Sequence, residues 1–270
     1  MLEESELLQP RQLGADGRRP PGDVALLREP PGPDRLAGVP VALHDLAEDD
    51  GLPERDVHAP IVARAVHETA RDVEVWQIEL REPGDRDERR AALRLALARR
   101  LGGDPSEIRL ISGPHGKPAL ADPVDGLHFS LSSSGRCCLI AVTTIGPIGV
   151  DVERVVPRKY LERIAARRFA PEEAAAIADR RGESALRAFY NCWTRKEAYL
   201  KATGTGLTAP LDGVVVSVDD ERPAILALRD DDPGAWFLAA VAPARDLIGA
   251  VAVRLGDYRA GEPAVRLLTA

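Results

Sequence analysis

This sequence of 270 residues has few sulfur-containing residues, few lysines and few aromatic side chains. These shortages limit the classes of protein to which it can belong. Its three cysteines, Cys137, Cys138 and Cys192, form no CxxC pair, which excludes a disulfide framework and a cysteine zinc cluster. We expect all three to be reduced core residues. No apolar run approaches the roughly 20 residues that a membrane-spanning helix needs, so we predict no membrane association.

The charge balance is acidic, with a formal net charge of -7 and a pI near 5.4. This balance argues against nucleic acid as a partner, because binding to a phosphate backbone depends on positive charge. The first residues, MLEESELLQP, lack the basic start and apolar centre of a secretory signal. We therefore expect a cytoplasmic protein, and we expect it to be a monomer.

The amino-terminal part of the chain has the composition of a disordered segment. The first 60 residues contain nine prolines and six glycines, and the first aromatic residue is Trp76. Such a segment cannot bury enough apolar surface to fold, so we predict that residues 1–65 are disordered. We predict an N-terminal subdomain over residues 66–146, a C-terminal subdomain over 147–256 and a frayed tail over 257–270. Strand, helix and several strands occur once in each subdomain.

The stretch from Ser184 to Leu207 is typical of a helix that packs on a core. One of its faces carries four apolar side chains at intervals of three or four residues: Leu186, Tyr190, Trp193 and Leu200. Glu197 falls on this face too, where a carboxylate is costly unless it is paired or binds a metal ion. Because Lys201 lies one turn later, an ion pair within the helix is the simpler interpretation.

Lysine is scarce in this chain. Only four of its 36 basic residues are lysines, and they are Lys117, Lys159, Lys196 and Lys201. Two of the four lie in the helix that contains Glu197. A lysine ammonium group is a compact point charge that suits phosphate, whereas arginine suits planar carboxylates. The placement therefore indicates phosphate chemistry at this helix.

Two carboxylates share one face of a predicted strand, PIGVDVERV. Side chains alternate along a strand, so Asp151 and Glu153 point away from the core. Neighbouring carboxylates repel each other, and a divalent cation with oxygen ligands removes the repulsion. The alternative is a solvated edge that Arg154 or Arg158 neutralises.

Further groups suited to phosphate occur upstream. The loop around Gly116 and Lys117 and a predicted serine-rich turn over Ser132 to Gly135 offer backbone N–H groups, hydroxyls and a lysine. A predicted basic helix, RDERRAALRLALARRLG, carries several arginines. One interpretation is that they bind an anion, and the other is that they form a solvated face. Three carboxylates with these groups fit attack on a phosphate ester or diphosphate with charge stabilised by Mg²⁺.

Four stretches resemble, in order and spacing, the motifs of 4′-phosphopantetheinyl transferases of the Sfp type. They are GKP at 116–118, FSLSSSG at 129–135, GVDVE at 149–153 and WTRKEAYLKATGTGL at 193–207. The resemblance implies an α+β fold, a pseudodimer of two similar α/β subdomains with the active site in the cleft between them. It implies transfer of the phosphopantetheine arm of coenzyme A to a serine of an acyl or peptidyl carrier protein. Adenosine 3′,5′-bisphosphate would be released.

The same resemblance implies roles for individual residues. Mg²⁺, or alternatively Mn²⁺, would be held by Asp151, Glu153 and Glu197. Lys201 would contact the phosphate that leaves, and Glu197 would take the proton of the carrier serine, directly or through water. The groups that would bind coenzyme A are Lys117, Ser132, Ser133, Lys196, Lys201, Arg89 and Arg90. The carrier would serve polyketide, nonribosomal peptide or fatty acid biosynthesis.

The chain departs from the family pattern at two places. Ser133 stands where family members usually have a histidine, which puts the affinity for coenzyme A in question, and the segment from Leu80 to Arg86 is short. One alternative function is a non-catalytic relative that binds coenzyme A or carriers. Another is a metal-dependent nuclease, which the acidic charge disfavours. For an acidic carrier we expect a docking surface of arginines, with Arg158, Arg163 and Arg167 as candidates.

Overall fold

A computed structural model of the chain describes residues 72–113, 116–205, 210–258 and 261–269. The segment predicted to be disordered, residues 1–65, lies outside these ranges. The described residues form an α+β structure of eleven strands and four α-helices. None of these helices is both long enough and apolar enough to span a membrane.

The first half of the fold contains one long helix and five strands. The strands are β1 (Val73–Glu79), β2 (Leu110–Ser112), β3 (Pro118–Leu120), β4 (His128–Ser134) and β5 (Cys137–Thr143). The helix α1 (Arg86–Leu101) begins where the side chain of Asp85 accepts a hydrogen bond from the backbone of Glu88, and it ends at Gly102 in the left-handed region. These bounds agree with the predicted basic helix.

The second half contains the other three helices and six strands. The elements are β6 (Ile148–Arg154), α2 (Leu161–Arg168), α3 (Pro171–Ala178), α4 (Gly182–Thr203), β7 (Val214–Val216), β8 (Ile225–Leu228), β9 (Trp236–Val241), β10 (Leu247–Arg254) and β11 (Val265–Thr269). The helix α4 is the one predicted from the Ser184 stretch. It ends at Gly204, as the sequence indicates.

Two larger sheets form the framework. The first has the strand order β11-β1-β5-β4, and the second has the order β6-β10-β9. All pairings in them are antiparallel except that of β1 with β11. The helix α1 covers one face of the first sheet, where Leu93 and Leu97 join Ile140 in a core. The other face of this sheet shares a second core with the second sheet, in which Val75 lies with Val150.

The helix α4 is enclosed on all sides over its middle. Every residue from Ala188 to Ala198 is buried, including Asn191 and Arg195, whose side chains bond to the segment around Val218. The helix is therefore not a surface helix with one apolar stripe. Both side chains are hydrogen-bonded in the interior, as buried polar groups need to be.

The structure corrects two local predictions and adds one short strand. Residues 265–269, placed in a frayed tail, form β11 and pair in parallel with β1. Ser132 to Ser134, placed in a turn, belong to the strand β4, and the turn begins at Gly135. Pro118–Leu120, directly after the predicted loop around Gly116 and Lys117, forms β3 and pairs with β2. The pairing of β11 has no local signal because β1 lies far away in the sequence. The strand β3 has only three residues, too few to show a strand pattern. The pseudodimer relation between the two halves stays a prediction.

Candidate active site

The close approach of β6 to α4 depends on Gly149. A Cβ atom at this position would overlap the carbonyl oxygen of Ala198 and come within 2.9 Å of the Cβ atom of Lys201. Glycine has no side chain, so it permits this approach of strand and helix. Lys201 of the helix consequently reaches Asp151, two residues further along the strand.

Asp151 is buried, with 4% of its surface exposed. Its Oδ1 accepts hydrogen bonds of 2.7 Å from Nζ of Lys201 and of 2.8 Å from Oγ of Ser132. Its Oδ2 is also buried and has no hydrogen-bond partner among the described residues. This burial rules out the alternative of a solvated edge for Asp151, and Arg154 pairs with Asp246 instead. Lys201 of α4 forms its ion pair with Asp151 of β6 and not with Glu197 of its own helix.

Glu197 is a buried carboxyl group with a strongly shifted proton affinity. It is 5% exposed, and its Oε1 has no hydrogen-bond partner within the described ranges. Burial, followed by the negative charge of Asp151, raises its pKa to about 7, against the opposing effect of Lys201. The charge of Glu153 also raises this pKa. The three carboxylates therefore interact electrostatically, as the sequence predicts.

Glu153 is the most open of the three carboxylates. It is half-buried, and its Oε2 accepts a hydrogen bond of 3.1 Å from Oγ of Ser134. The backbone N–H of the next residue, Arg154, donates to the same serine oxygen at 3.0 Å. A single hydroxyl thus holds both the side chain of Glu153 and the strand beside it.

These groups suit a magnesium ion, although the protein side chains that the structure describes do not alone supply a complete coordination shell. Among the described residues, no three His, Cys, Asp or Glu side chains are grouped as a complete metal site. Two buried carboxylate oxygens, Asp151 Oδ2 and Glu197 Oε1, nevertheless lack partners there, and buried acceptors are seldom left so. Mg²⁺ is commonly held by one or two carboxylates while substrate phosphate and water complete its shell. The residues present fit that arrangement.

A cavity of about 320 Å³ lies beside Lys201. Its described lining includes five cationic side chains and no acidic one, and the cations are Arg86, Arg89, Arg90, Lys117 and Lys201. Apolar contacts come from Phe129, Leu131 and Leu200. A cavity with this lining suits an anion that also carries an organic group.

Lys117 connects the two halves of the described fold at the cavity. Its Nζ donates a hydrogen bond of 2.8 Å to the backbone carbonyl of Lys201 near the end of α4. Burial and the neighbouring charge of Lys201 lower the pKa of Lys117. The destabilised positive charge of Lys117 favours the binding of an anion beside it.

Comparisons with known proteins identify the family. Residues 147–253 match the sequence profile of the 4′-phosphopantetheinyl transferase superfamily. The 4′-phosphopantetheinyl transferase HetI of Nostoc sp. is 36% identical over 166 residues, which are 61% of this chain and 68% of HetI. This chain belongs to the 4′-phosphopantetheinyl transferase superfamily.

Other relatives are matched over a smaller share of their length. The 4′-phosphopantetheinyl transferase Sfp of Bacillus subtilis is 32% identical over 138 residues, which are 51% of this chain and 60% of Sfp. A relative from Synechocystis sp. is matched over 52% of its length. A solved structure, the holo-[acyl-carrier-protein] synthase AcpS of Thermotoga maritima, is 24% identical with a TM-score of 0.31, and the match covers 41% of this chain and 62% of AcpS.

Lys196 is not among the residues that line the cavity. Its side chain is 0% exposed, and Nζ forms an ion pair of 2.6 Å with Glu173. The same Nζ donates to the carbonyl oxygens of Leu211 and Val214. With these partners Lys196 has no proton left for a phosphate, so we correct its predicted role in binding coenzyme A to a structural one.

Two serines predicted to bind coenzyme A also lie elsewhere. Ser132 is buried and donates to Asp151, and Ser133 is buried on the opposite face of β4. Neither is among the residues that line the cavity. The serines that do line it are Ser112 and Ser130. Four other residues predicted to bind coenzyme A do line the cavity: Arg89, Arg90, Lys117 and Lys201.

Sequence patterns did not reveal the roles of Glu173, which holds Lys196, and Ser134, which holds Glu153. Glu173 lies in the first turn of α3, where it accepts hydrogen bonds from the backbone of Ala170 and Val216 and pairs with Lys196. No local pattern distinguishes such a glutamate. The sequence does contain a signal for Ser134. Serines at alternate positions of a strand share one face, so Ser134 is expected on the same face as Ser132.

Proposed function

We propose that this protein transfers the 4′-phosphopantetheine arm of coenzyme A to a serine of an acyl or peptidyl carrier protein, releasing adenosine 3′,5′-bisphosphate. The position of Lys201 is the observation that carries the proposal. It lines the cationic cavity and at the same time bonds to Asp151 at 2.7 Å. A phosphate group bound at Lys201 would lie where the cavity meets the carboxylates.

The cationic side chains of the cavity would bind the phosphates of coenzyme A. Lys117 and Lys201 are joined through a hydrogen bond and so present their charges from a fixed framework. Arg90 donates to the carbonyl oxygen of Leu110 at 2.9 Å, which holds its guanidinium group at the cavity wall. Fixed donors stabilise developing negative charge without further reorganisation.

Glu197 would act as the base toward the carrier serine. A pKa of about 7 suits a group that takes a proton near neutral pH. The serine oxygen would form a bond to the phosphorus that bears the pantetheine arm, and the bond from that phosphorus to the bridging oxygen would break. The serine proton would pass to Glu197, directly or through water. Lys201 would stabilise the negative charge on the departing bisphosphate.

Asp151, Glu153 and Glu197 would hold Mg²⁺, with Mn²⁺ as an alternative. The ion would supply charge stabilisation to the diphosphate. Asp151 and Glu197 each have a carboxylate oxygen without a partner among the described residues, which supports this assignment. Lys201 would remain bonded to Oδ1 of Asp151, which leaves Oδ2 for the ion.

The carrier protein would dock on α2. Arg163 and Arg167 are exposed on this helix, and Tyr160, which precedes it, is 59% exposed with the guanidinium group of Arg163 5.3 Å from its ring centre. Carrier proteins are acidic by family analogy, so positive charge here would steer association. Charge reversal at Arg163 and Arg167 should slow transfer to the carrier, and an unchanged rate would contradict the docking site.

We place this activity in the cytoplasm in a monomeric protein. The three cysteines are free and buried, which suits a reducing compartment.

Intact-mass spectrometry tests the proposed reaction. An apo carrier protein is incubated with this protein, coenzyme A and Mg²⁺, alongside EDTA and Glu197→Ala controls. We expect a gain of one phosphopantetheine unit that requires both the metal and Glu197. No gain across several acyl and peptidyl carriers, with protein shown to be folded, would favour the alternative of a non-catalytic binder, which Ser133 in place of the family histidine would then explain.

A further inference from the structure

Two edge strands meet at the candidate site without pairing through their backbones. The strand β4 is the last strand of the first sheet, and β6 is the first strand of the second sheet. Three serines of β4 bridge the gap with their hydroxyl groups: Ser130, Ser132 and Ser134. They occupy alternate positions, so all three face the same strand. We call this set the serine ladder.

Each serine of the ladder has a separate partner on β6. Ser132 donates to Oδ1 of Asp151 at 2.8 Å, and Ser134 donates to Oε2 of Glu153 at 3.1 Å. Ser130 accepts a hydrogen bond of 3.2 Å from the backbone N–H of Val150. Two of the three serines therefore contact carboxylates, while the third contacts the strand alone.

We propose that Ser132 and Ser134 are positioning residues, which orient Asp151 and Glu153 for binding a divalent cation. This inference rests on the proposed function, because it concerns the carboxylates that would hold Mg²⁺ there. Neither serine touches the reacting atoms. Their effect on the reaction passes through the two carboxylates.

The hydrogen bonds of Asp151 show how the orientation arises. Lys201 and Ser132 both donate to Oδ1, so this oxygen is engaged from two elements and the carboxyl plane is fixed. The other oxygen, Oδ2, is buried without a partner among the described residues. A buried, unpartnered acceptor of a 4% exposed aspartate is the kind of group that a cation stabilises.

The hydroxyl of Ser134 couples the orientation of Glu153 to the strand register. It donates to Glu153 while it accepts from the backbone N–H of Arg154 at 3.0 Å. Only a group that both donates and accepts can do this, and a serine hydroxyl is such a group. Partners that hydrogen-bond to metal ligands in this way commonly change metal affinity by roughly 10-fold to 100-fold when they are removed.

The test is direct titration of the full chain with Mn²⁺ alone, with free Mn²⁺ followed by electron paramagnetic resonance. The variants are Ser132→Ala and Ser134→Ala, with Ser130→Ala as the matched control that removes a ladder hydroxyl bonded to backbone. We expect the dissociation constant to rise about 10-fold in the first two variants and to stay within about 2-fold in the control. Ser134→Thr, which keeps a hydroxyl, should recover most of the affinity.

Circular dichroism and thermal unfolding confirm that each variant is folded before titration. Equal Mn²⁺ affinity in Ser132→Ala, Ser134→Ala and the unmodified protein would overturn the proposal. An equal loss in all three alanine variants would also overturn it, since the ladder would then act only on the strand. Absence of Mn²⁺ binding by the unmodified protein would overturn it as well. Hydroxyl-dependent binding without carrier modification would leave the positioning role intact and reject the transferase function alone.

Discussion

The ammonium group of Lys201 donates a hydrogen bond of 2.7 Å to Oδ1 of Asp151 and another of 3.1 Å to the carbonyl oxygen of Val150. One side chain of α4 is thus bound to both the side chain and the backbone of β6. The same residue lines the cationic cavity. Lys201 therefore joins the phosphate-binding surface to the carboxylate cluster.

Replacing Lys201 by methionine should impair transfer strongly. The substitution keeps most of the side-chain volume but removes the charge beside Asp151 and the cavity. A hydrogen bond to a charged group contributes about 1.5 to 3 kcal/mol, so we expect the transfer rate to fall roughly 10-fold to 100-fold. Lys201→Arg keeps the charge but not the compact geometry and should give an intermediate rate. The measurement is the initial rate of carrier mass gain, and a rate in Lys201→Met equal to the unmodified rate would refute this role.

Gly149→Ala should destabilise the fold and separate α4 from β6. The added methyl group would meet the backbone of Ala198, which cannot rotate away. Overpacking of a close contact costs about 1 to 3 kcal/mol, and we expect the free energy of unfolding to fall by at least 2 kcal/mol. Gly213→Ala is the matched control, because its nearest neighbour is the side chain of Arg229 at 3.8 Å. Urea unfolding compares the two, and equal losses would contradict the tight contact.

The carboxylates of the site could be predicted because their signals are local. Asp151 and Glu153 interrupt an apolar strand at alternate positions, and Glu197 interrupts an apolar helix face. Each pattern fits within a few residues of sequence. A carboxylate on an apolar face is costly unless it is paired or binds a cation, so such a position marks a candidate site.

The partners of these groups could not be predicted in the same way. Lys196 neighbours Glu197 in sequence, but the helix directs it toward Glu173, 23 positions earlier in the chain. The pairing of β11 with β1 joins residues such as Val265 and Val73. Long-range contacts of this kind depend on how sheets and helices pack, and propensity at one position carries no information about them.

The buried pair of Lys196 and Glu173 should contribute strongly to stability and little to coenzyme A binding. Lys196→Met leaves the charge of Glu173 uncompensated in the core, and breaking a buried pair in this way costs about 3 to 5 kcal/mol. Lys159→Met, at an exposed position, should change the free energy of unfolding by about 0.5 kcal/mol or less. Urea unfolding of both variants measures these changes in the free energy of unfolding.

The same Lys196→Met variant also tests the corrected role of this lysine. Calorimetric titration with coenzyme A, at a temperature where the variant is folded, should give an affinity within about 3-fold of the unmodified protein. A much weaker affinity, with the fold intact, would return Lys196 to the phosphate site.

The raised pKa of Glu197 makes the stability of the metal-free protein depend on pH. Its folded pKa of about 7 lies above the ordinary value of 4.5, because burial and Asp151 disfavour the charged form. The stabilising contribution is therefore fully present below pH 4.5 and is lost as pH rises through 7. A shift of this size corresponds to about 3 kcal/mol. Glu197→Gln cannot ionise, so in EDTA it should be more stable than the unmodified protein at pH 8.5.

Urea unfolding of both proteins from pH 5 to pH 8.5 measures this difference. The gap between them should widen with increasing pH, since only the unmodified protein must release a buried proton. Glu162→Gln, which removes an exposed carboxylate, should follow the unmodified protein across the range. Mg²⁺ should narrow the gap at pH 8.5, because a cation bound to the ionised form stabilises the folded state by mass action. A gap that is constant with pH would mean that Glu197 is ionised throughout and that its burial is compensated by another group.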